Sequence, residues 1–92
     1  MIYATKIKMN YGYFGSNRCI DINSIYLSGE GYNGYREKAW VHDYVKSRPG
    51  SICVNLGSKP NLVHATSAYG EKYVRSEPND TPSDNLLKLP RE

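Results

Sequence analysis

Two short glycine–tyrosine motifs carry the residue types best suited to hold a ligand. The segment GYFG at 12–15 is followed by Arg18, and the segment GYNG at 31–34 is followed by Tyr35 and Arg36. Glycine-rich loops can present backbone N–H groups as an anion-binding nest, tyrosine rings stack on nucleobases, and guanidinium groups pair with phosphate. The motifs therefore predict a site for a nucleotide or a similar phosphorylated ligand, although such loops are also common hairpin connections. The candidate ligand-binding residues are Tyr13, Arg18, Tyr32, Tyr35 and Arg36.

The residue types that most often perform catalysis or bind metals lie in no known catalytic motif. His42 and His64 belong to no HExxH or comparable frame. Cys19 and Cys53 are accompanied by no CxxC or Cys/His cluster, so we expect two free thiols and no metal site. We therefore predict a non-enzymatic protein that needs no cofactor.

The composition points to binding surfaces of other kinds as well. The chain has nine Tyr, one Phe and one Trp, with a net charge of +3. Tyrosine tolerates half-wet positions because its ring is apolar and its hydroxyl polar, which favours binding faces or subunit interfaces. A protein-interaction surface is one alternative to the nucleotide site, because Tyr, Trp and Arg are favoured at interface centres. A weak nucleic-acid interface, built from the tyrosines and lysines of the first strands, is another.

The chain length of 92 residues predicts a single domain, 1–92. A domain of this size buries only about 60–65% of its unfolded surface, so we expect it to gain stability as a homo-oligomer. No apolar run approaches the ~18 residues that a membrane-spanning helix needs. No basic segment precedes an apolar one, as it would in a secretory signal. These features predict a cytoplasmic protein that does not enter a membrane.

Hydrophobic alternation predicts an antiparallel hairpin over 2–28. Residues 2–13 alternate with a period of two, and 19–28 form a second strand pattern. Ile22 lies on one face of that second strand, whereas Ile25 and Leu27 lie on the other. The pattern indicates either a bulge near Asn23 and Ser24 or a strand with two partly covered faces.

One helix, three strands and a tail follow this hairpin. An apolar stripe that includes Trp40 and Val41 predicts a helix over 35–47, which the second glycine–tyrosine loop would enter at its anion-favouring N-terminus. Three strand patterns occupy 52–76, and the leucines of 77–92 predict that this tail docks on the domain. The order ββαβββ predicts an α+β fold, with a small antiparallel sheet of about five strands and one helix packed on one face.

The end of the chain has a distinctive pattern, EKYVRSEPNDTPSDNLLKLPRE. A Lys-Tyr strand ends in Arg and is followed by a polar turn, an Asp-Asn-Leu element and a closing Leu-Pro. This pattern resembles the C-terminal signature of a family of short, uncharacterised bacterial and phage proteins. The matching residues are Lys72, Tyr73, Arg75, Asp80, Asp84, Asn85, Leu86, Leu89 and Pro90. The resemblance implies a similar fold and a bacterial or phage setting, and it supplies no catalytic residues.

Within this signature we predict structural roles for Arg75, Asp84 and Asn85. An aspartate after a polar turn accepts backbone N–H bonds, and Arg75 is placed to pair with Asp84 and fix the tail. In a bacterial or phage setting, a small binding protein would sequester a nucleotide signal of host defence or inhibit a host protein. These two functions are the hypotheses that the sequence leaves open.

Overall fold

The computed structural model describes residues 1–77 and 84–92. In these ranges the chain forms six strands, one α-helix and two short 3-10 helices. The strands and the α-helix are β1 (Ile2–Met9), β2 (Ile22–Gly29), β3 (Tyr32–Glu37), α1 (Lys38–Ser47), β4 (Ile52–Val54), β5 (Leu62–Thr66) and β6 (Lys72–Ser76). The 3-10 helices span Cys19–Asp21 and Asn85–Lys88.

The strands of the described ranges form two sheets. The larger sheet has the order β3-β2-β1-β4, and β5 pairs with β6 in the smaller one. The predicted α+β class is confirmed, and the β1–β2 hairpin is antiparallel as expected. The prediction of a single antiparallel sheet was wrong. β4 runs parallel to β1, and it contacts the chain that leads into β5 through a bridge between Cys53 and Asn61. Beside that bridge the N–H of Val54 donates to the carbonyl of Pro60 at 2.8 Å, and Pro60 has no N–H to return the bond.

Two bulges in the β1–β2 ladder decide which side chains face the core. One register shift lies between Lys8 and Met9, where Asn23 of β2 is left without a partner. It turns Ile22 and Ile25 toward the same side, and the bulge predicted near Asn23 and Ser24 is confirmed. A second shift skips Thr5, so Ala4 and Ile7 are both buried. The strict alternation predicted for residues 2–13 was therefore wrong beyond Ala4.

The second glycine–tyrosine motif forms a hairpin rather than a loop that leads into a helix. Gly29 pairs with Tyr32, so Glu30 and Gly31 are the two turn residues, with φ of 49° and 88°. Positive φ at both turn positions is what a type I′ hairpin requires. The helix begins at Lys38 instead of 35, because residues up to Glu37 pair with β2. The predicted order lacked this strand, and the expectation that the second glycine–tyrosine loop enters the helix at its N-terminus was wrong.

The core lies around α1, which contacts both sheets. Val41 and Val45 of the predicted helical stripe are fully buried. His42 is also buried, and its Nδ1 atom lies 3.0 Å from the carbonyl oxygen of Tyr73. Strands and tail complete the core with Ile2, Ala4, Ile7, Ile22, Ile25, Leu27, Ile52, Val54, Leu62, Val74, Leu86, Leu87 and Leu89.

The end of the chain docks along β1. The N–H of Ile7 donates to the carbonyl of Pro90 at 2.9 Å, and the N–H of Glu92 donates to the carbonyl of Ile7 at 3.0 Å. The tail thus occupies the edge of β1 beyond the point where β4 stops, as the burial of Leu86, Leu87 and Leu89 requires. Asp80 of the C-terminal signature lies outside the described residues.

Within the described ranges, α1 spans ten residues. No helix there has the length and apolar character to cross a membrane.

Candidate functional site

Three aromatic and two arginine side chains from β3, α1 and the residue after α1 form one surface, which we call the aromatic–arginine surface. Tyr32 and Arg36 lie on the same face of β3 because side chains alternate along a strand. Trp40 and Tyr44 are four residues apart on α1, and Arg48 follows one turn later at the helix end. The surface consists of Tyr32, Arg36, Trp40, Tyr44 and Arg48.

The rings of this surface are in direct contact. Trp40 and Tyr44 stack with centroids 5.1 Å apart and planes at 18°. Tyr32 packs edge-on against both, with centroid distances of 5.7 Å to Trp40 and 5.9 Å to Tyr44. Partial desolvation and a hydrogen bond with Tyr32 raise the pKa of the Tyr44 hydroxyl. The cluster is a continuous aromatic patch, and Trp40 remains 38% exposed at its centre.

Both arginines lie over ring faces of the patch. The guanidinium carbon of Arg36 is 5.6 Å from the Tyr32 centroid and 5.5 Å from the Trp40 centroid. That of Arg48 is 4.7 Å from the centroid of Tyr44. A guanidinium that lies over a ring keeps its in-plane N–H donors clear of that ring. One donor of Arg36 is bonded to the carbonyl of Tyr35 at 3.1 Å, and the others can bind a carboxylate or phosphate. The surface therefore combines apolar contact area with two fixed positive groups.

A separate cavity of about 540 Å³ lies between the β1–β2 connection and the β5–β6 turn. Tyr13 and Arg18 line it together with Asp21, Tyr69 and Glu71. At its edge Lys38 joins the two walls, because its Nζ donates to the carbonyl of Ile20 at 2.6 Å and pairs with Glu71. The cavity presents aromatic rings and charges of both signs.

Tyr35 lies on the opposite face of β3, in a cluster on the outer side of the larger sheet. Its ring packs edge-on against Tyr26 at 5.1 Å, and the ammonium of Lys8 is 4.5 Å from its centroid. The hydroxyl of Tyr35 donates to the carboxylate of Glu92, which Lys6 approaches to 3.5 Å. Desolvation and this hydrogen bond raise the pKa of Tyr35 to about 12. The same bond, with the nearby lysines, lowers the pKa of Glu92.

The predicted tail residues have different partners from those expected. The carboxylate of Asp84 accepts hydrogen bonds from Ser76 and Leu86. The N–H of Ser76 lies 3.0 and 3.1 Å from its two oxygens, the Ser76 hydroxyl donates at 2.8 Å, and the N–H of Leu86 donates at 2.9 Å. The N–H of Asn85 donates to the Ser76 hydroxyl at 3.2 Å. Among the described residues, Asp84 forms no ion pair with Arg75, whose side chain lines a cavity beside β5. Asp84 fixes the tail through backbone groups instead.

Asp84 also affects the half-buried thiol of Cys19. Burial, followed by the charge of Asp84 and a hydrogen bond to it, raises the pKa of Cys19 to about 12, although Arg75 acts in the opposite sense. Cys19 and Cys53 are free thiols. Across residues 1–77 and 84–92, no three His, Cys, Asp or Glu side chains converge as metal ligands.

The structure divides the predicted ligand residues among three places. Tyr13 and Arg18 share the cavity, Tyr32 and Arg36 share the aromatic–arginine surface, and Tyr35 faces the other way. Neither glycine–tyrosine motif presents a full nest: the N–H of Tyr13 already donates to Asn10, and residues 32–34 pair with β2. The nucleotide hypothesis did not include Trp40, Tyr44 and Arg48. Their four-residue spacing along the helix, at 40, 44 and 48, was the signal available in the sequence.

Comparison with known proteins gives one family. The family described as "Protein of unknown function (DUF3892)" matches residues 23–90, from β2 to the docked tail. No curated protein and no solved structure matches the chain.

Proposed function

Because the chain belongs to the DUF3892 family, whose function is unknown, we propose a function from its surface. The protein is a non-enzymatic binding module that uses the aromatic–arginine surface to bind an acidic region of another protein. In the bacterial or phage setting implied by the C-terminal signature, that partner is a host protein.

The observation that carries this proposal is the position of Arg36 and Arg48 over the aromatic patch. Each guanidinium is held by ring contacts, at 5.5 Å from Trp40 and 4.7 Å from Tyr44. Holding a long side chain in place before binding reduces the conformational entropy that the complex would otherwise cost. Carboxylates of a partner accept bidentate hydrogen bonds from such fixed guanidinium groups.

The residue types and the shape of the surface favour a macromolecular partner. Trp, Tyr and Arg are the residues most enriched among those that dominate binding energy at protein interfaces. Small ligands bind mostly in concave sites, whereas Trp40 and Arg36 lie outside both cavities described for this structure. An aromatic patch with a partly exposed indole suits another protein surface better than a free nucleotide.

The cavity that contains Tyr13 and Arg18 supports a second candidate function. Its volume of about 540 Å³ is adequate for a nucleotide-sized ligand, and Arg18 would contact a phosphate. Asp21 and Glu71 also line it, so they oppose a purely anionic ligand. Sequestration of a nucleotide signal is therefore the less favoured candidate, and it belongs to this cavity alone.

Affinity capture from bacterial extract tests the proposed function. The wild-type protein, the variant Arg36→Gln/Arg48→Gln and the control Lys8→Gln/Lys88→Gln are immobilised, and bound proteins are quantified by mass spectrometry. The control removes the same charge from outside the surface. We expect a partner that wild type and control retain and that the arginine variant loses by about tenfold or more, as one or two hot-spot residues do. Equal retention by all three proteins would contradict the proposal.

Calorimetric titration with a panel of mono- and dinucleotides separates the second candidate. Binding that Arg18→Gln abolishes and that Arg36→Gln/Arg48→Gln leaves unchanged would assign a ligand to the cavity. The two functions therefore fail or succeed independently.

A further inference from the structure

The cavity between the β1–β2 connection and the β5–β6 turn is lined by three charged side chains, those of Arg18, Asp21 and Glu71. Glu71 already has a partner, because its carboxylate forms an ion pair with Lys38 at the edge of the cavity. The same ammonium group donates to the carbonyl of Ile20, so the lysine is held in place. Since this pair has no net charge, Arg18 and Asp21 are the cation and the anion that the described lining of the cavity offers to a ligand.

Arg18 and Asp21 lie close together in the backbone without neutralising each other. The N–H of Asp21 donates to the carbonyl of Arg18 at 3.1 Å. This bond closes a turn, and the two Cα atoms at the ends of such a turn are less than about 7 Å apart. Within residues 1–77 and 84–92 the two side chains nevertheless form no ion pair with each other. The cavity therefore presents one charge of each sign, a short distance apart.

Two serine side chains hold the walls of the cavity in this arrangement. The Ser16 hydroxyl donates to one carboxylate oxygen of Asp21 at 2.6 Å and accepts the N–H of Arg18 at 3.0 Å. On the opposite wall, the Ser67 hydroxyl accepts the N–H of Tyr69 at 3.2 Å. A site whose walls are fixed before binding loses less conformational entropy when a ligand binds.

A ligand that matches this lining carries a positive and a negative group close together and has no net charge. A guanidinium group binds a carboxylate through two parallel hydrogen bonds, and a carboxylate accepts the N–H donors of an ammonium group. A nucleotide matches less well, because its phosphate groups are repelled by the carboxylate of Asp21. Tyr13 and Tyr69, which are 51% and 100% exposed, also line the cavity, so their rings can contact an apolar part of the ligand.

We propose that this cavity binds a free α-amino acid. The α-carboxylate accepts two hydrogen bonds from Arg18, the α-ammonium group donates to Asp21, and the side chain contacts Tyr13 and Tyr69. An α-amino acid carries both charges next to a single carbon, which suits two protein groups at the ends of one turn. The volume of about 540 Å³ is within the range of roughly 300–1,000 Å³ that is usual for small-ligand sites. The amino acid is an alternative to a nucleotide in this cavity, and it is independent of the aromatic–arginine surface.

Two-dimensional NMR of the ¹⁵N-labelled protein tests this ligand class. Each of the standard amino acids is added separately at about 10 mM, which detects a dissociation constant in the millimolar range. The amide signals of Ile20 and Ala68, two residues that line the cavity, report binding. We expect at least one amino acid to shift both signals until they saturate. If no amino acid shifts them, the proposal is overturned.

Derivatives of the amino acid that binds test each charge with the protein unchanged. The N-acetyl derivative lacks the ammonium group, and the carboxamide derivative lacks the carboxylate. Because hydrogen bonds to charged groups are the strong ones, we expect each derivative to bind about tenfold more weakly or worse. A derivative that binds as tightly as the amino acid would contradict the assigned pairing.

Arg18→Gln and Asp21→Asn test the two protein groups, and the asparagine oxygen can still accept the Ser16 hydroxyl. We expect each substitution to weaken binding of the amino acid about tenfold or more. The matched control is Arg36→Gln/Arg48→Gln, which should bind the amino acid as the wild type does. Unchanged affinity in Arg18→Gln and Asp21→Asn, or lost affinity in the control, would overturn the proposal. Capture of a protein partner depends on Arg36 and Arg48 instead, so the two proposals fail separately.

Discussion

Trp40 and Tyr44 stack nearly in parallel one helical turn apart, with ring centroids separated by 5.1 Å. Arg48 lies over the ring of Tyr44, and Arg36 lies over the rings of Trp40 and Tyr32. These contacts join α1, the residue at its C-terminal end and β3 into one surface. Its five side chains come from a segment of 17 residues, 32–48, although β3 and α1 lie on different layers of the fold.

Replacement of Asp84 is expected to destabilise the docked tail. Its carboxylate accepts the N–H groups of Ser76 and Leu86, and Asp84→Ala leaves these donors without their partner. We expect the free energy of unfolding to fall by roughly 1–3 kcal/mol in urea denaturation. The control is Glu37→Gln, because Glu37 is the N-cap residue of α1 and its carboxylate makes no capping hydrogen bond. A loss no greater in Asp84→Ala than in the control would contradict the role of Asp84.

The hydroxyl of Tyr35 is expected to set the pKa of Glu92. Its hydrogen bond lowers that pKa, so Glu92 contributes stability at pH values above its ordinary pKa, and this contribution is lost as pH falls through the lowered value. Tyr35→Phe removes the bond and should raise the pKa of Glu92 toward its ordinary range. An NMR titration of the Glu92 carboxyl carbon measures this change.

Tyr26→Phe is the matched control for that titration, because the Tyr26 hydroxyl donates to Asn33 and not to Glu92. A Glu92 pKa that responds equally to both substitutions would show that the Tyr35 hydroxyl has no specific effect.

The thiol of Cys19 is expected to be unreactive at neutral pH. A pKa of about 12 leaves roughly one molecule in ten thousand as thiolate at pH 8, and the thiolate is the reactive form. In a Cys53→Ser background, the rate of modification by a disulfide reagent should still increase tenfold per pH unit between about pH 8 and 10. A rate that levels off below about pH 9 would contradict the proposed effect of burial and Asp84.

The β2–β3 turn is expected to depend on Gly31 and not on Gly34. Gly31 has φ of 88°, where an added Cβ is strained, whereas Gly34 has no positive φ and its added Cβ would meet Arg36 at 3.6 Å, an ordinary contact. Gly31→Ala should lower the free energy of unfolding by about 1 kcal/mol, and Gly34→Ala should not lower it. Equal losses in the two variants would contradict the hairpin at this position.

Part of the fold was predictable from local patterns. Val41 and Val45 belong to the apolar stripe that predicted the helix. The opposed faces of Ile22 and Ile25 indicated either a bulge near Asn23 and Ser24 or two partly covered faces, and the bulge is what forms. The β2–β3 hairpin was missed because Glu-Gly is a less usual type I′ turn than Asn-Gly or Asp-Gly. Residues 35–37 were consequently assigned to the helix, whereas pairing with β2 determines their conformation.

The candidate site was predictable only in part, because side chains adjacent in sequence face different surfaces. Tyr35 and Arg36 were assigned to one site, but a strand directs neighbouring residues to opposite faces. Tyr32 and Arg36 were identified, whereas their ring partners Trp40 and Tyr44 depend on how α1 packs against β3. That packing follows from tertiary contacts and not from the sequence spacing alone.

The most direct test of the proposed function uses Trp40 itself. It is the single tryptophan of the chain, so its indole N–H gives one resolved signal in a two-dimensional NMR spectrum of the ¹⁵N-labelled protein. Unlabelled bacterial extract is added to the wild type and to Arg36→Gln/Arg48→Gln. We predict that the indole signal shifts or broadens in the wild type and stays unchanged in the variant. An indole signal unchanged in the wild type, while amides around Tyr13 and Arg18 shift, would contradict binding at the aromatic–arginine surface and assign it to the cavity.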